Sequence, residues 1–123
     1  MAKTLPPLGD LEHEVANLIW THGPMTAVAV RKALPRALKD PTIRTVLRRL
    51  EEKGYLTHKV DNGTFMYHAV ESREQIAAKA VKGIVDRFCD GSLEKALLSM
   101  VKAAIVDPGE LKLIAEKLKK KPR

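Results

Sequence analysis

Apolar residues recur at helical intervals over the first fifty positions, then alternate one by one, then return to helical spacing for the rest of the chain. Leu11, Val15, Leu18 and Ile19 share one face of a helix predicted over residues 10–21. Gly9 or Asp10 is placed to cap it, Glu12 sits where a carboxylate suits the helix dipole, and Gly23-Pro24 ends it. Thr26 then reads as the N-cap of a short second helix carrying Val28, Val30 and Leu34, which Pro35 closes.

The third helix is the most informative. Asp40 is expected to cap it, with Pro41 at the first helical position. On a helical wheel Ile43, Val46, Leu47 and Leu50 form an apolar stripe roughly 100° wide. Arg44, Thr45 and Arg48 project from the other side, Arg49 lies at the flank, and Gly54 supplies the left-handed residue expected after the last turn.

From residue 55 to residue 70 the period becomes two. Leu56, His58 and Val60 alternate with Thr57 and Lys59 before Asp61-Asn62-Gly63 reverses the chain. Asn-Gly suits a type I′ turn, because both central residues need positive φ. With Asn62-Gly63 as the loop, Val60 faces Phe65, His58 faces Tyr67 and Leu56 faces Ala69. That face is mostly apolar, and Thr57, Lys59, Thr64, Met66 and His68 occupy the other.

Beyond residue 71 the pattern is again helical. Ser72 and Gln75 form a capping-box pair ahead of Ile76, Ala80, Val81, Ile84 and Phe88. Asp90-Gly91 breaks that helix, and Ser92 starts another with Leu93, Ala96, Leu97, Met100 and Val101. Asp107, Pro108 and Glu110 announce a last helix with Leu111, Ile114 and Leu118, and the tail from Lys119 to Arg123 is expected to fray. The predicted fold is mostly α (α+β): a winged helix-turn-helix domain at 1–71, followed by a three-helix dimerisation region at 72–123. Three short helices make a marginal core alone. The apolar set Ile76, Ala80, Ile84, Phe88, Leu97, Met100, Val101, Leu111, Ile114 and Leu118 exceeds what one such packet needs, so a two-fold homodimer is expected. The competing account folds these helices back on their own wing.

Charge sharpens the picture. The chain carries a net +7, and residues 26–60 concentrate it. Arg31, Lys32, Arg36, Lys39, Arg44, Arg48, Arg49, Lys53 and Lys59 face only Asp40, Glu51 and Glu52 there. Such a field favours nucleic acid first and anionic lipid second, with a plain solvated surface as the alternative. The expected DNA contacts are Arg44 and Arg48, whose planar forks match guanine, and Thr45, which can meet a base methyl. Thr42 and the backbone amides behind Thr26 suit phosphates. Arg31 and Arg49 add positive charge beside them, while Lys59 and Asn62 place the hairpin tip against a neighbouring groove or backbone.

Other chemistry finds little footing. His13, His22, His58 and His68 lack ligand spacing, so no metal site is expected. His58 opposite Tyr67 reads as a hydrogen-bonded pair. There is no Cys-x-x-Cys, no His-Glu-x-x-His, no glycine-rich phosphate loop and no acid–base constellation, so neither an enzyme nor a cofactor is expected. Cys89, the one cysteine, cannot form an internal disulfide and reads as a packed thiol of a cytoplasmic protein. No run of 18 apolar residues and no secretory pattern is present.

The order Thr42-Ile43-Arg44-Thr45, Arg49-Leu50, Lys53-Gly54, His58-Lys59-Val60-Asp61-Asn62 and Phe88-Cys89-Asp90-Gly91-Ser92 resembles the BlaI/MecI-type penicillinase repressors, which include copper-responsive CopY-like members. The likeness runs from Leu8 to about Leu118. It implies a winged-helix repressor, homodimeric through its C-terminal helices, on a pseudo-palindromic operator, with recognition-helix roles for Thr42, Arg44 and Thr45. In penicillin-responsive members a membrane-bound sensor protease signals and the repressor is cut in its dimerisation region. The paired Cys-x-Cys motifs of copper-responsive members are absent, so copper sensing is not implied. Ser99-Met100 stands where penicillin-responsive members have Asn-Phe, and is the first place to look for a cut within residues 92–107. The competing function is an architectural or protein-interaction module without strong base readout.

Overall fold

In the computed structural model, which describes residues 5–120, the periodicities become six helices and one hairpin. They are α1 (Asp10–His22), α2 (Ala27–Ala33), α3 (Asp40–Glu52), β1 (Leu56–Asp61), β2 (Thr64–Ala69), α4 (Arg73–Phe88), α5 (Leu93–Lys102) and α6 (Pro108–Lys120). Of the tail expected to fray, Lys119 and Lys120 complete α6; residues 121–123, like 1–4, lie outside the described residues. The chain divides into two compact units, one ending at Ala80 and the other starting at Val81.

The first unit is a winged helix-turn-helix. α1 contributes Val15 and Ile19, α2 contributes Val30, and the predicted stripe of α3, Ile43, Val46, Leu47 and Leu50, is buried in full. Truncating one of these leucines to alanine costs about 2–5 kcal/mol, because the cavity closes only partly. Thr26 caps α2 as expected, its hydroxyl accepting the Ala29 N–H at 3.1 Å. The start of α3 is shifted by one residue from the expectation. Lys39 is the N-cap, Asp40 is already helical, and Pro41 follows it. The carboxylate of Asp40 is drawn away from the helix amides by a stronger donor, the Arg44 guanidinium.

The hairpin register matches the expectation in each pair: Leu56 with Ala69, His58 with Tyr67, Val60 with Phe65. Asn62 and Gly63 have φ of 52° and 76°, the double left-handed turn that Asn-Gly accepts at least cost. The apolar face, however, is buried only at its root. Leu56 and Tyr67 are in the core, whereas Val60 is 64% exposed and Phe65 43% exposed at the tip. A rung absent from the sequence reading joins the hairpin to the turn after α1. The Met25 N–H donates to the Tyr67 carbonyl at 3.1 Å, and the Tyr67 N–H returns to the Met25 carbonyl at 2.8 Å.

Two further ties close this unit. Glu12, buried on α1, accepts the Gly9 N–H at 2.7 Å and the Lys53 Nζ at 2.6 Å, both on Oε1. Lys53 also donates to the Pro7 carbonyl at 2.9 Å, and the Tyr55 hydroxyl donates to the Pro6 carbonyl at 2.6 Å, pinning the segment ahead of α1. Gly54 follows α3 with φ of 92°, and a Cβ there would meet Leu5 at 3.2 Å. The start of α4 belongs to the same unit. Ser72 and Gln75 make their reciprocal cap, Trp20 donates to the Glu71 carbonyl at 3.2 Å, and the Arg73 guanidinium lies 5.7 Å over the Trp20 ring. Ile76, expected at a dimer contact, is half-buried against the winged-helix core of its own chain.

In the second unit the Ser92 hydroxyl caps α5 by accepting the Lys95 N–H at 3.1 Å, and Asp107 donates its N–H to the Glu110 carboxylate at 3.1 Å ahead of α6. Among its described residues Val85 is the one buried apolar side chain. Leu97, Met100, Val101 and Leu111 are half-buried, and Ala80, just before the unit boundary, is exposed. Ile84, Phe88, Ile114 and Leu118 stand more than half exposed.

Candidate nucleic-acid interface

The solvent side of α3 has two edges. At about 100° per residue, Arg44 and Arg48 fall on the edge shared with Asp40 and Glu51, and Thr42, Thr45 and Arg49 fall on the other. Thr42, Thr45 and Arg49 line a shallow depression of about 340 Å³ with Leu11, Pro41 and Val46, between α1 and α3. The one polar side foreseen from the sequence is therefore two surfaces with different neighbours.

The arginine edge is laced with acids. Arg44 Nε donates to Asp40 Oδ2 at 2.7 Å, which raises the guanidinium pKa further, and Arg48 Nε lies 3.9 Å from Glu52, too far for a hydrogen bond. Both arginines remain more than half exposed. Arg36 pairs with Glu14, and Lys53 is spent on Glu12. Arg31, Lys32, Lys39, Arg49 and Lys59 form no ion pair among the described residues and stand exposed. The positive field is narrower than the charge count implies, and it centres on the end of α2, on α3 and on the wing.

Thr26 is the N-cap expected of it: its hydroxyl oxygen accepts the Ala29 N–H, which leaves the hydroxyl proton free to donate. His58 is a correction of role. Its Nδ1 lies 2.8 Å from both carboxylate oxygens of Glu51, and its ring stacks on Phe65 with centroids 4.0 Å apart. Tyr67, its expected hydrogen-bond partner, is merely a tilted aromatic neighbour at 5.7 Å. Burial pushes the Tyr67 phenol above its usual pKa, with the Glu51 charge adding to the shift and Arg44 opposing it. The signal that would have found the Glu51–His58 tie was a carboxylate at the end of α3 seven residues before a strand histidine. Lys59 and Asn62 sit exposed on the wing, as expected.

Residues 8–120 match the family model described as penicillinase repressor. The chain belongs to the penicillinase repressor family. Among its relatives is the methicillin resistance regulatory protein MecI of Mammaliicoccus sciuri, 27% identical over 93% of this chain and 94% of that protein. Another is the penicillinase repressor of Bacillus licheniformis, 30% identical over 80% of this chain and 79% of that one. The solution structure of Bacillus licheniformis BlaI, in its monomeric form in complex with the blaP half-operator, is similar with a TM-score of 0.50 and 32% identity, covering 58% of this chain and 89% of that chain. Penicillinase repressors are a family of regulators, not of enzymes. Among the described residues no helix is long and apolar enough to cross a membrane, and no group of three His, Cys, Asp or Glu side chains is arranged for a metal.

Proposed function

We propose that this penicillinase repressor family member is a sequence-specific DNA-binding transcriptional repressor that acts in the cytoplasm as a homodimer on a pseudo-palindromic operator. The observation that carries the reading is α3: its apolar stripe is wholly buried, and its other side presents Arg44, Arg48, Thr42, Thr45 and Arg49 beside an exposed wing. A helix so mounted fits the major groove while Lys59 and Asn62 meet the flanking backbone. Similarity to BlaI, solved on a half-operator, supports the same use of this surface. Residues 1–71 read DNA in this proposal, and 72–123 assemble the dimer through Ile84, Phe88, Leu97, Met100, Val101, Leu111, Ile114 and Leu118. Repression ends when a signalling partner, such as a membrane-bound sensor protease, leads to a cut within residues 92–107 that uncouples the two readers; tethered readers gain about a hundredfold or more from avidity.

The test is selection of binding sites from a random duplex library with the full chain, followed by affinity on selected and shuffled duplexes. A preference of about a thousandfold or more is expected. Arg44→Ala should then lose about 1–3 kcal/mol on the selected site and relax one base pair per half-site, whereas Lys59→Ala should weaken all sequences alike and flatten the salt dependence. A chain that binds both duplexes equally is an architectural module, and the repressor reading is lost.

A further inference from the structure

Asp40 occupies the first turn of α3, where a carboxylate ordinarily serves the free amides of its own helix. Here Oδ2 accepts Arg44 Nε–H at 2.7 Å, one turn further on, in the acid-before-base order that suits a helix. The Nη1 and Nη2 donors of Arg44 have no partner among the described residues, and the side chain is 59% exposed. Arg48, on the same edge, has no such restraint, since Glu52 stands off at 3.9 Å. The two arginines are alike in sequence and unlike in how they are held.

Resting on the DNA-reading role proposed above, we infer that Asp40 is a positioning residue for base readout: by holding Nε it turns the Nη1/Nη2 edge of Arg44 outward and makes Arg44, rather than Arg48, the arginine that reads a base. Guanine offers two adjacent acceptors, N7 and O6, and a guanidinium can approach them with either of two donor pairs or swing away to a phosphate. With Nε occupied, one donor pair remains, and a swing to the backbone requires breaking the bond to Asp40. An exposed ion pair is weak in water, but docking in a groove excludes water and strengthens it. The same carboxylate is repelled by the phosphates. Asp40 therefore lowers affinity for DNA of any sequence while raising discrimination between sequences. Arg48, unrestrained, is left to the backbone.

The experiment uses the full chain, the duplex it selects from a random library, all single-base-pair variants of that duplex, and one shuffled duplex. Thermal unfolding first verifies that each variant is folded. Asp40→Ala should bind the shuffled duplex about two- to fivefold more tightly at low salt. It should also lose about tenfold of the preference at the base pair that Arg44→Ala relaxes, and at no other. Asp40→Asn keeps an acceptor at the same place, so it should share the gain on shuffled DNA while retaining most of the preference. In an Arg44→Ala background Asp40→Ala should change no base preference. If Asp40→Ala keeps the full preference at every position, or loses as much without Arg44, the positioning role is overturned although the repressor reading stands. A wild-type chain that selects no sequence at all overturns both.

Discussion

His58 Nδ1 lies 2.8 Å from each carboxylate oxygen of Glu51, so the first wing strand is bonded to the last turn of α3. Both side chains are about one-third exposed. The pair fixes an angle between two elements rather than contributing much to global stability.

Breaking that pair is expected to act on the wing. His58→Ala or Glu51→Ala should cost about 0.5–1.5 kcal/mol of stability. Amide exchange in β1 and β2 should quicken more than in α3, and affinity for the selected duplex should fall severalfold. The double variant should be no worse than the worse single one. Additive losses on DNA would mean that each residue acts separately.

A second prediction concerns acid. Glu12 is held below its usual pKa, first by the hydrogen bond from Lys53 and then by that from the Gly9 amide. A depressed folded-state value means that its contribution is fully present above the ordinary glutamate pKa and is lost as pH falls through the lowered value. Glu12→Gln should therefore destabilise by about 1–3 kcal/mol near neutral pH. Urea unfolding across pH should show wild type and variant converging in acid. A constant gap down to the lowest pH would leave the ion pair without a role.

The helical register, the hairpin pairing and the turn residues were readable because each rests on local rules, a period of 3.6 or 2 and the φ demands of Asn62-Gly63. Family membership was readable because the motifs around Thr42–Thr45 and Phe88–Ser92 lie in the right order. What escaped was nonlocal. The Met25–Tyr67 rung joins residues 42 positions apart in sequence and leaves no periodic mark. Asp40 has the sequence signature of a cap, which ignores a guanidinium one turn away. Ile76 carries the same apolar signature whether its face meets a partner or its own chain. At the wing tip, alternation predicted an apolar face for Val60 and Phe65 but not what covers it.

The exposed apolar side chains of the second unit lead to a third prediction. Phe88, Ile84 and Leu118 stand 74%, 57% and 67% exposed. Burying each in a partner is worth about 1.5–3 kcal/mol. Phe88→Glu and Leu118→Glu should each raise the dimer dissociation constant tenfold or more in sedimentation equilibrium, with helicity retained. A wild-type chain that is monomeric at micromolar concentration would remove the dimer.

The fourth concerns where a protease enters. Ser99 and Met100 lie inside α5, and the Ser99 hydroxyl donates to the Lys95 carbonyl at 2.8 Å. Cleavage there requires the helix to open locally. The turn that follows α5 is different: Ala104 has φ of 60°, and Ile105 is 67% exposed. Brief digestion with a protease of broad specificity should cut residues 103–107 before Ser99-Met100. Initial cutting at Ser99-Met100 would show that α5 opens more readily than its hydrogen bonds suggest.

Trp20 is the chain's one tryptophan, and its indole N–H and ring face are both engaged at the entry to α4, by the Glu71 carbonyl and the Arg73 guanidinium. The protein thus carries its own optical probe where the first turn of α4 meets the winged-helix core. Detaching the first turn of α4 would strip the indole of both neighbours and admit solvent, so its emission should move to longer wavelength. Arg73→Ala should produce part of that change without unfolding. No dye is needed to follow that junction, and the signal can be read in the same cuvette as a DNA titration.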